Sequence, residues 1–507
     1  MTISRSTRRV VVAVSSIALL GSAFVLGVSY GGARVRARDA WADGRLLSTA
    51  IDSVRVNALD SLPNEELIRR AVAGMLRELH DPYAALLRTE GYNRYRGSLL
   101  GESQGLGLSM RLQGVDLSVR RVSPGSPAAA AGVQRGDRVL EWDGVRVRDA
   151  RKPILKDTTR KETDYTELLL WRAPAGDSVR VRVKRTLWHT PAVSESGLLS
   201  DSVGYVRLAS ITQHAAQQLE DAVEQLTKSG ARSLVLDLRG NGGGLYEEGV
   251  NAAALFLQNG AVVSSLAGRG DSPSQVYHAK GSRWPTMPLT VLVDGGTASA
   301  AEIIAAALRE HQRALLVGSP TYGKGVVQRV VRLTPDLALR LTTARWLTPT
   351  GRSLQRREGT GKDAHGGLIP DVLLDDAGWR DPSGVPPEWS PRTIKGVVAA
   401  SDSAVLHGLR EGWVELPVPL MESRVRMQLS TSVPKNFRSD IASARWLSVA
   451  TRLATVRLLE IRRMDETLLR YAMREDAALR AGFDVLAPGR DVVRVMPSER
   501  ARIADTP

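Results

Sequence analysis

Leu236-Asp237-Leu238-Arg239-Gly240-Asn241-Gly242-Gly243-Gly244 closes a short apolar run that begins at Ser233. The run is of the buried-strand type and feeds straight into four glycines within five positions. Glycine permits close approach and positive φ, so neighbouring backbone N–H groups can turn toward an anion. Taken alone, the stretch suits an oxyanion hole, a phosphate loop or a tight strand-to-helix turn. A Walker loop is disfavoured, because no Gly-Lys-Ser/Thr closes the glycines. Around this stretch the pattern alternates. Strands are expected at Val203–Leu208, Leu289–Val293 and Ala314–Val317, and helices at Gln213–Lys228, Tyr246–Gln258 and Ala300–His311. That alternation predicts an α/β sheet covered on both faces.

Upstream the period changes. Val115, Leu117, Val119 and Val122 alternate with polar residues, Ser123–Pro127 is a turn cluster, and Ala128–Val133 reads as a short helix. Val139-Leu140-Glu141-Trp142 is a strand ending in the turn signal Asp143-Gly144, and Val179, Val181 and Val183 form a last strand. Residues 34–100 read as helical. Leu67, Ile68, Ala71, Met75 and Leu76 recur at helical spacing before Asp81-Pro82-Tyr83 breaks the pattern. Residues 381–390 have a Pro/Gly/Ser linker composition. Beyond them Leu447, Ala450, Ala454, Leu458, Ile461, Met464, Leu468 and Ala472 trace one helical stripe, read as a packing face, with a partner-binding helix as the sharper alternative.

The chain has 507 residues, enough for two to four domains. Its 43% hydrophobic and 24% charged residues exclude a mainly disordered chain. There is no cysteine, which removes disulfides, thiol nucleophiles and Cys-type metal sites. The seven histidines are scattered and none forms His-Glu-x-x-His. The net charge is +15, of which residues 105–185 hold +7 and residues 186–380 only +1. No nucleic-acid motif accompanies the charge, so no nucleic-acid partner is expected. Arg5, Arg8 and Arg9 precede an uncharged apolar run from Val10 to Ala33, long enough to span a bilayer. The flanking charge predicts a cytoplasmic N-terminus. An uncleaved single-pass anchor is the preferred reading, a cleaved signal peptide the rival, and a buried soluble helix the third.

Two further segments carry chemistry. In Gly295-Gly296-Thr297-Ala298-Ser299-Ala300-Ala301-Glu302, Ser299 precedes a helix and Glu302 follows three residues later, the spacing of a capping box. A nucleophile gains from the same place, because a helix N-terminus stabilises developing negative charge. In Tyr322-Gly323-Lys324-Gly325-Val326-Val327-Gln328, the lysine enters a hydrophobic β context. A neutral lysine can take a serine's proton, and Gln328, four residues on, shares its strand face. Glu302 and Glu310 are the other polar candidates near the serine.

In this order the segments resemble the carboxyl-terminal processing (tail-specific) protease family. The resemblance spans about residues 40–375. It includes Asp81-Pro82-Tyr83, the PDZ-like stretch 105–185, the glycine run, the Ser299 segment, and the Lys324 segment 25 positions later. Leu347–Gln355 and Ile369-Pro370-Asp371 complete it. It implies a ClpP/crotonase-like α/β protease core with an inserted β-rich PDZ domain. It also implies Ser299 as nucleophile, Lys324 as general base, Gln328 as the group orienting the lysine, and Gly243 and Ala300 as oxyanion donors. Gly105-Leu106-Gly107-Leu108 matches the PDZ loop that receives a peptide carboxylate. Gly242 stands where the family usually has proline, and Thr297 and Ala301 replace its outer serines.

The expected domains are therefore 1–33 (anchor or signal), 34–104 (helical), 105–185 (PDZ), 186–380 (serine–lysine core) and 381–507 (helical extension of unknown role). The expected activity is a serine endopeptidase cutting near protein C-termini, needing no metal or organic cofactor. It would sit in a bacterial-type inner membrane with its ectodomain in the periplasm, or be secreted after cleavage. Expected partners are proteins or peptides with accessible C-termini and the membrane, with a homo-oligomer or an activating partner left open. The alternative is a PDZ-based scaffold with an inert core.

Overall fold

The computed structural model describes residues 44–486, apart from 61, 104, 114–115, 148–164, 173–176, 270–272, 357–365, 375–390, 434–439, 462–466, 468–469, 472 and 474–475. The expected membrane segment and the 381–390 linker lie outside these residues. Among the described residues, no helix is long and apolar enough to cross a membrane. The chain divides into two compact units, Met1–Leu87 with Val330–Leu341, and Arg88–Arg329 with Thr342–Pro507.

The second unit is built on a six-stranded sheet. Its strands are β1 (Val193–Leu198), β2 (Val203–Leu208), β3 (Ser233–Asp237), β4 (Leu289–Val293), β5 (Leu315–Gly318) and β6 (Val372–Leu373), side by side in that order. β1 pairs antiparallel and every later pair is parallel. Every residue of β3 and β4 is buried, which is why these segments read as unbroken apolar runs. Helices α1 (Ala215–Lys228), α2 (Tyr246–Ala254) and α3 (Ala300–Glu310) make the connections from β2 to β5. The strand order advances in one direction, so right-handed crossovers place all three helices on one face. There Leu219, Val223, Val250, Ile303 and Ile304 close the main core.

The other face is covered from an unexpected place. Helices α4 (Pro391–Arg410), α5 (Val418–Ser430) and α6 (Asp440–Ile461) form a bundle around Val397, Met421, Val425, Trp446 and Leu453. Ala450, Ala454 and Leu458 of the expected stripe are buried in it, so that part is a packing face. Met464, Leu468 and Ala472 lie outside the described residues. The last helix, α7 (Ala477–Leu486), leaves the bundle's core and joins the sheet. Leu479 and Leu486 pack with Tyr205, Val235, Leu292 and Val317. The second layer of the α/β core thus comes from the C-terminal extension.

The described residues of the 105–185 stretch form an antiparallel sheet. Strands Leu108–Gln113, Asp116–Val122, Arg138–Trp142, Tyr165–Arg172 and Asp177–Lys184 lie in that order. Leu117, Val119, Val139, Leu168, Leu170 and Val183 form its core. Asp143 and Gly144 both take positive φ in the turn to Val145–Arg146, as their dipeptide signals. The expected Ala128–Val133 helix is one turn, Pro127–Ala130, with Ser126 as N-cap.

The expected helical region contains helices over 44–57, Asn64–Glu78 and Thr89–Leu100 and also the strand Ala85–Arg88. No residue of Asn64–Glu78 is fully buried, and Ile68 and Met75 stay exposed. Asp81-Pro82-Tyr83 forms an Asx turn in which Tyr83 N–H donates to Asp81 Oδ1 at 2.9 Å.

Candidate active site

Three loops meet at the C-terminal ends of β3, β4 and β5, the usual place for a site in a parallel sheet. The serine loop leaves β4. Its backbone is anchored by Asp294, whose Oδ1 accepts from Gly240 N–H (2.8 Å), Gly296 N–H (2.9 Å) and Thr297 N–H (3.1 Å). One carboxylate oxygen therefore ties the glycine loop to the serine loop. Thr297 Oγ1 donates to Leu238 O at 2.9 Å, and Tyr322 N–H donates to Thr297 O at 3.0 Å. Thr297, which replaces a serine of the family pattern, thus joins all three loops.

Ser299 has φ 56° and ψ −119°. An ordinary N-cap is extended, and a left-handed φ in a non-glycine residue costs about 1–3 kcal/mol. Strain of this kind concentrates where a side chain must be presented for chemistry. Of the expected capping box, the bond from Ser299 N–H to Glu302 Oε2 forms at 2.8 Å. Ala300 is the first residue of α3, where an amide has no intrahelical acceptor.

Glu302 is completely buried and accepts more than the capping bond. Lys324 N–H reaches the same oxygen, Oε2, at 2.9 Å. Thr321 Oγ1 (2.6 Å) and Gly323 N–H (2.8 Å) donate to Oε1. The helix that begins at the serine therefore carries, one turn later, the carboxylate that holds the lysine loop. Sequence spacing identified Glu302 as half of a cap; its second role needed the fold. Lys324 is half-buried, and its carbonyl accepts from Trp346 Nε1 at 2.8 Å. Gln328 is half-buried with its Nε2 buried and unpartnered. Glu310, the other carboxylate considered near the serine, instead holds the Leu347–Gln355 segment through Thr350 and Arg352. Although partial burial works against it, those donors keep the Glu310 carboxyl below the usual range. That segment in turn braces the lysine loop, since Gly325 N–H donates to Gln355 Oε1 at 2.9 Å.

The glycine loop lies against the serine. Gly243 has φ 89°, and a Cβ there would fall 2.6 Å from Ala298 O and 2.8 Å from Ala300 N. Only glycine fits. Its amide, an expected oxyanion donor, is engaged by Asn241 Oδ1 at 2.9 Å. Asn241 is itself fixed, with Nδ2 donating to Leu208 O at 2.7 Å and its carbonyl accepting from Ala298 N–H at 2.9 Å.

Behind the loop sits a charged group that sequence reading did not pick out. Arg239 is 1% exposed, and its guanidinium is bonded by Asp237 and, from the far end of the chain, Asp476. Tyr205 Oη donates to Asp237 Oδ2 at 2.8 Å. Burial opposes charge on both Asp237 and Arg239, yet their mutual attraction outweighs it. Asp237 is held below its ordinary range and Arg239 above its own. The only local signal was a charged pair inside an apolar run.

In the β-rich domain, Leu106 is buried in the core, and its carbonyl accepts from Ala128 N–H at 3.0 Å. Gly107 O accepts from Ser123 N–H at 2.9 Å. Gly107 has φ 77°, and a Cβ there would lie 2.1 Å from Ser126 Cβ. Gly105 N–H donates to Ser103 Oγ at 3.0 Å, and Leu108 opens the first strand. Among the described residues no group of three or more His, Asp or Glu is placed to hold a metal.

A serine peptidase core coupled to a PDZ domain is the class this arrangement describes, and comparison with known proteins agrees on both parts. The profile of peptidase family S41 matches residues 202–373, and that of the PDZ domain matches residues 118–185. The carboxyl-terminal-processing protease of Picosynechococcus sp. is 37% identical over 309 residues, covering 60% of this chain and 72% of that protein. The chloroplastic C-terminal processing peptidase of Tetradesmus obliquus is 31% identical over 368 residues, covering 68% and 75%. Among solved structures, the photosystem II D1 C-terminal processing protease is 29% identical with a TM-score of 0.41, covering 64% of this chain and 86% of that one. The chain belongs to the carboxyl-terminal-processing proteases of peptidase family S41, and it is a serine peptidase.

Proposed function

We propose that Ser299 and Lys324 are the catalytic dyad of a peptidase that cuts polypeptides near their C-termini. The observation that carries this reading is the shared carboxylate. Ser299 and Lys324, 25 residues apart, both donate their amides to Glu302 Oε2. Lysine in its neutral form removes the Ser299 hydroxyl proton as Oγ attacks the scissile carbonyl. The proton passes to the leaving amine as the C–N bond breaks, leaving an acyl-enzyme that water hydrolyses. Ala300 N–H serves the oxyanion at the start of α3. Gly243 N–H joins it once Asn241 Oδ1 releases that amide. Gln328 orients the lysine; carboxamide nitrogen and oxygen assignments interchange, and the flipped group turns an acceptor toward the position its unpartnered nitrogen occupies.

The PDZ domain presents substrate tails, with Gly105–Leu108 receiving the terminal carboxylate and an added strand pairing with the domain. Val10–Ala33 anchors the chain in a bacterial-type inner membrane, with the domains on the periplasmic side. The test is hydrolysis of an unfolded protein with an apolar C-terminus. Ser299→Ala and Lys324→Ala should each lower kcat by about 10⁴-fold or more. Undiminished turnover by both would sink the assignment. Activity should also fall as pH is lowered, because a protonated lysine accepts no proton; a flat profile from mildly acidic to alkaline pH would count against lysine as the base.

A further inference from the structure

The carboxylate that completes the Arg239 group comes from the C-terminal extension. Asp476 immediately precedes α7 and is 9% exposed. Its Oδ1 accepts from Arg239 Nη1 at 2.8 Å, and its Oδ2 lies 2.8 Å from Arg239 Nη2. The same Oδ1 accepts from Leu479 N–H at 2.9 Å, so Asp476 is also the N-cap of α7. Two acceptors on a planar fork fix the guanidinium in position and rotation. Asp237 takes the other edge, through Arg239 Nε at 3.0 Å and Nη2 at 2.6 Å.

Arg239 is followed at once by Gly240-Asn241-Gly242-Gly243. Arg239 N–H donates to Asp237 Oδ1 at 2.9 Å, so side chain and backbone are fixed by the same group. The loop that presents Gly243 to Ser299 and Ala300 therefore departs from a residue clamped between β3 and the extension. Gly242 has no neighbour within 4 Å of a built Cβ, and four glycines give the loop little stiffness of its own. Its geometry is imposed by its anchors: Arg239 where it departs, and Asp294 and Leu208 through Gly240 and Asn241.

We propose that Asp476 is a positioning residue for the peptidase reaction, holding the start of the glycine loop, and with it the approach of Gly243 to Ser299 and Ala300, through Arg239. One carboxylate of the C-terminal extension then acts on the reaction, while the rest of α7 packs against the sheet. The proposal rests on the reading of Ser299 and the glycine loop given above. Asp476 touches no reacting atom. Its effect falls on transition-state stabilisation, so it appears in kcat and not in KM.

The test uses the full chain, casein as an unfolded substrate, and a fluorophosphonate probe for Ser299. Wild-type labelling at Ser299 checks the underlying reading, and its failure would break that reading. With wild-type labelling in place, Asp476→Asn should lower kcat and the labelling rate together by about tenfold or more, with KM within about twofold. Asp476→Glu should recover part of the loss. Leu479→Ala, which weakens α7 packing and spares Asp476, should lower the Tm and leave kcat unchanged below its transition. Unchanged kcat in Asp476→Asn would overturn the proposal, as would an equal kcat loss in Leu479→Ala. Should Asp476→Asn lack a folded near-ultraviolet dichroism spectrum, Asp476→Glu decides: kcat reduced in a folded protein supports the proposal, and kcat equal to wild type overturns it.

Discussion

Ser299 and Glu302 divide the work at the scale of single residues. Ser299 holds a backbone conformation that glycine would adopt without strain. Ser299→Gly should therefore be inactive yet more stable than Ser299→Ala by about 1 kcal/mol, read from urea midpoints. Equal stability would mean the backbone stores no strain there. Glu302 accepts four hydrogen bonds. Glu302→Gln turns one acceptor oxygen into a donor and leaves buried N–H or O–H groups unpaired. Each such group costs about 1–3 kcal/mol. Lower Tm together with at least a tenfold loss of kcat is expected; wild-type values for both would remove Glu302 from the account. The capping spacing was legible from the helix start itself, and the serine and the lysine were singled out by the family resemblance of their glycine-flanked segments. Asp294 and the Asp237–Arg239–Asp476 group were not. Asp294 is one carboxylate before two glycines, and Asp476 is 237 residues from its partner.

At the scale of elements, the glycine loop and the helices either side of it decide the site. Gly249 in α2 lets that helix approach the first turn of α3; a Cβ there would fall 2.9 Å from Ala300 O. Gly249→Ala must shift Ala300, the proposed oxyanion donor, and should lower kcat more than KM; a change in KM alone would contradict this. The buried ion group gives an acid-stability prediction. Asp237 is depressed in the folded state, with burial opposing and Arg239 prevailing. Its contribution is complete above the unfolded carboxyl value of about 3.9 and is lost as pH falls through its lower folded value. Urea midpoints should therefore lose this contribution only below about pH 4, and the Asp237-dependent part should be constant from pH 5 to 7. The central strands β2 to β5 were read almost to the residue, because fully buried parallel strands are unbroken apolar runs; the edge strands β1 and β6, with half-buried or exposed residues, were not. Helix ends were overrun: α2 stops at Ala254, where Phe256 and Leu257 stay buried in a turn, and apolarity alone cannot mark that stop.

For the whole molecule, the extension changes the picture most. An α/β sheet with crossovers running one way leaves a face bare, and α7 fills it. Leu479→Ala should cost about 2–5 kcal/mol, a value for burial in a shared core; a loss below 0.5 kcal/mol would mean α7 merely rests on the sheet. The same extension meets the PDZ domain, where Asp402 of α4 lies 3.3 Å from Arg138. The sequence showed helical stripes beyond residue 440 but no sign of their destination. Packing partners far apart in a chain leave no periodic trace. The +7 on residues 105–185 belongs to this scale as well. If it steers carboxylate-ended tails, peptide affinity should fall with ionic strength.

The central claim is that Ser299 is the nucleophile and Lys324 its base. The most direct measurement is labelling of the full chain by a fluorophosphonate, with the modified residue mapped by mass spectrometry and casein turnover followed in parallel. The account predicts one adduct, on Ser299, absent in Ser299→Ala and strongly slowed in Lys324→Ala, with turnover falling in step. Labelling at another serine, or turnover that survives both substitutions, would contradict it.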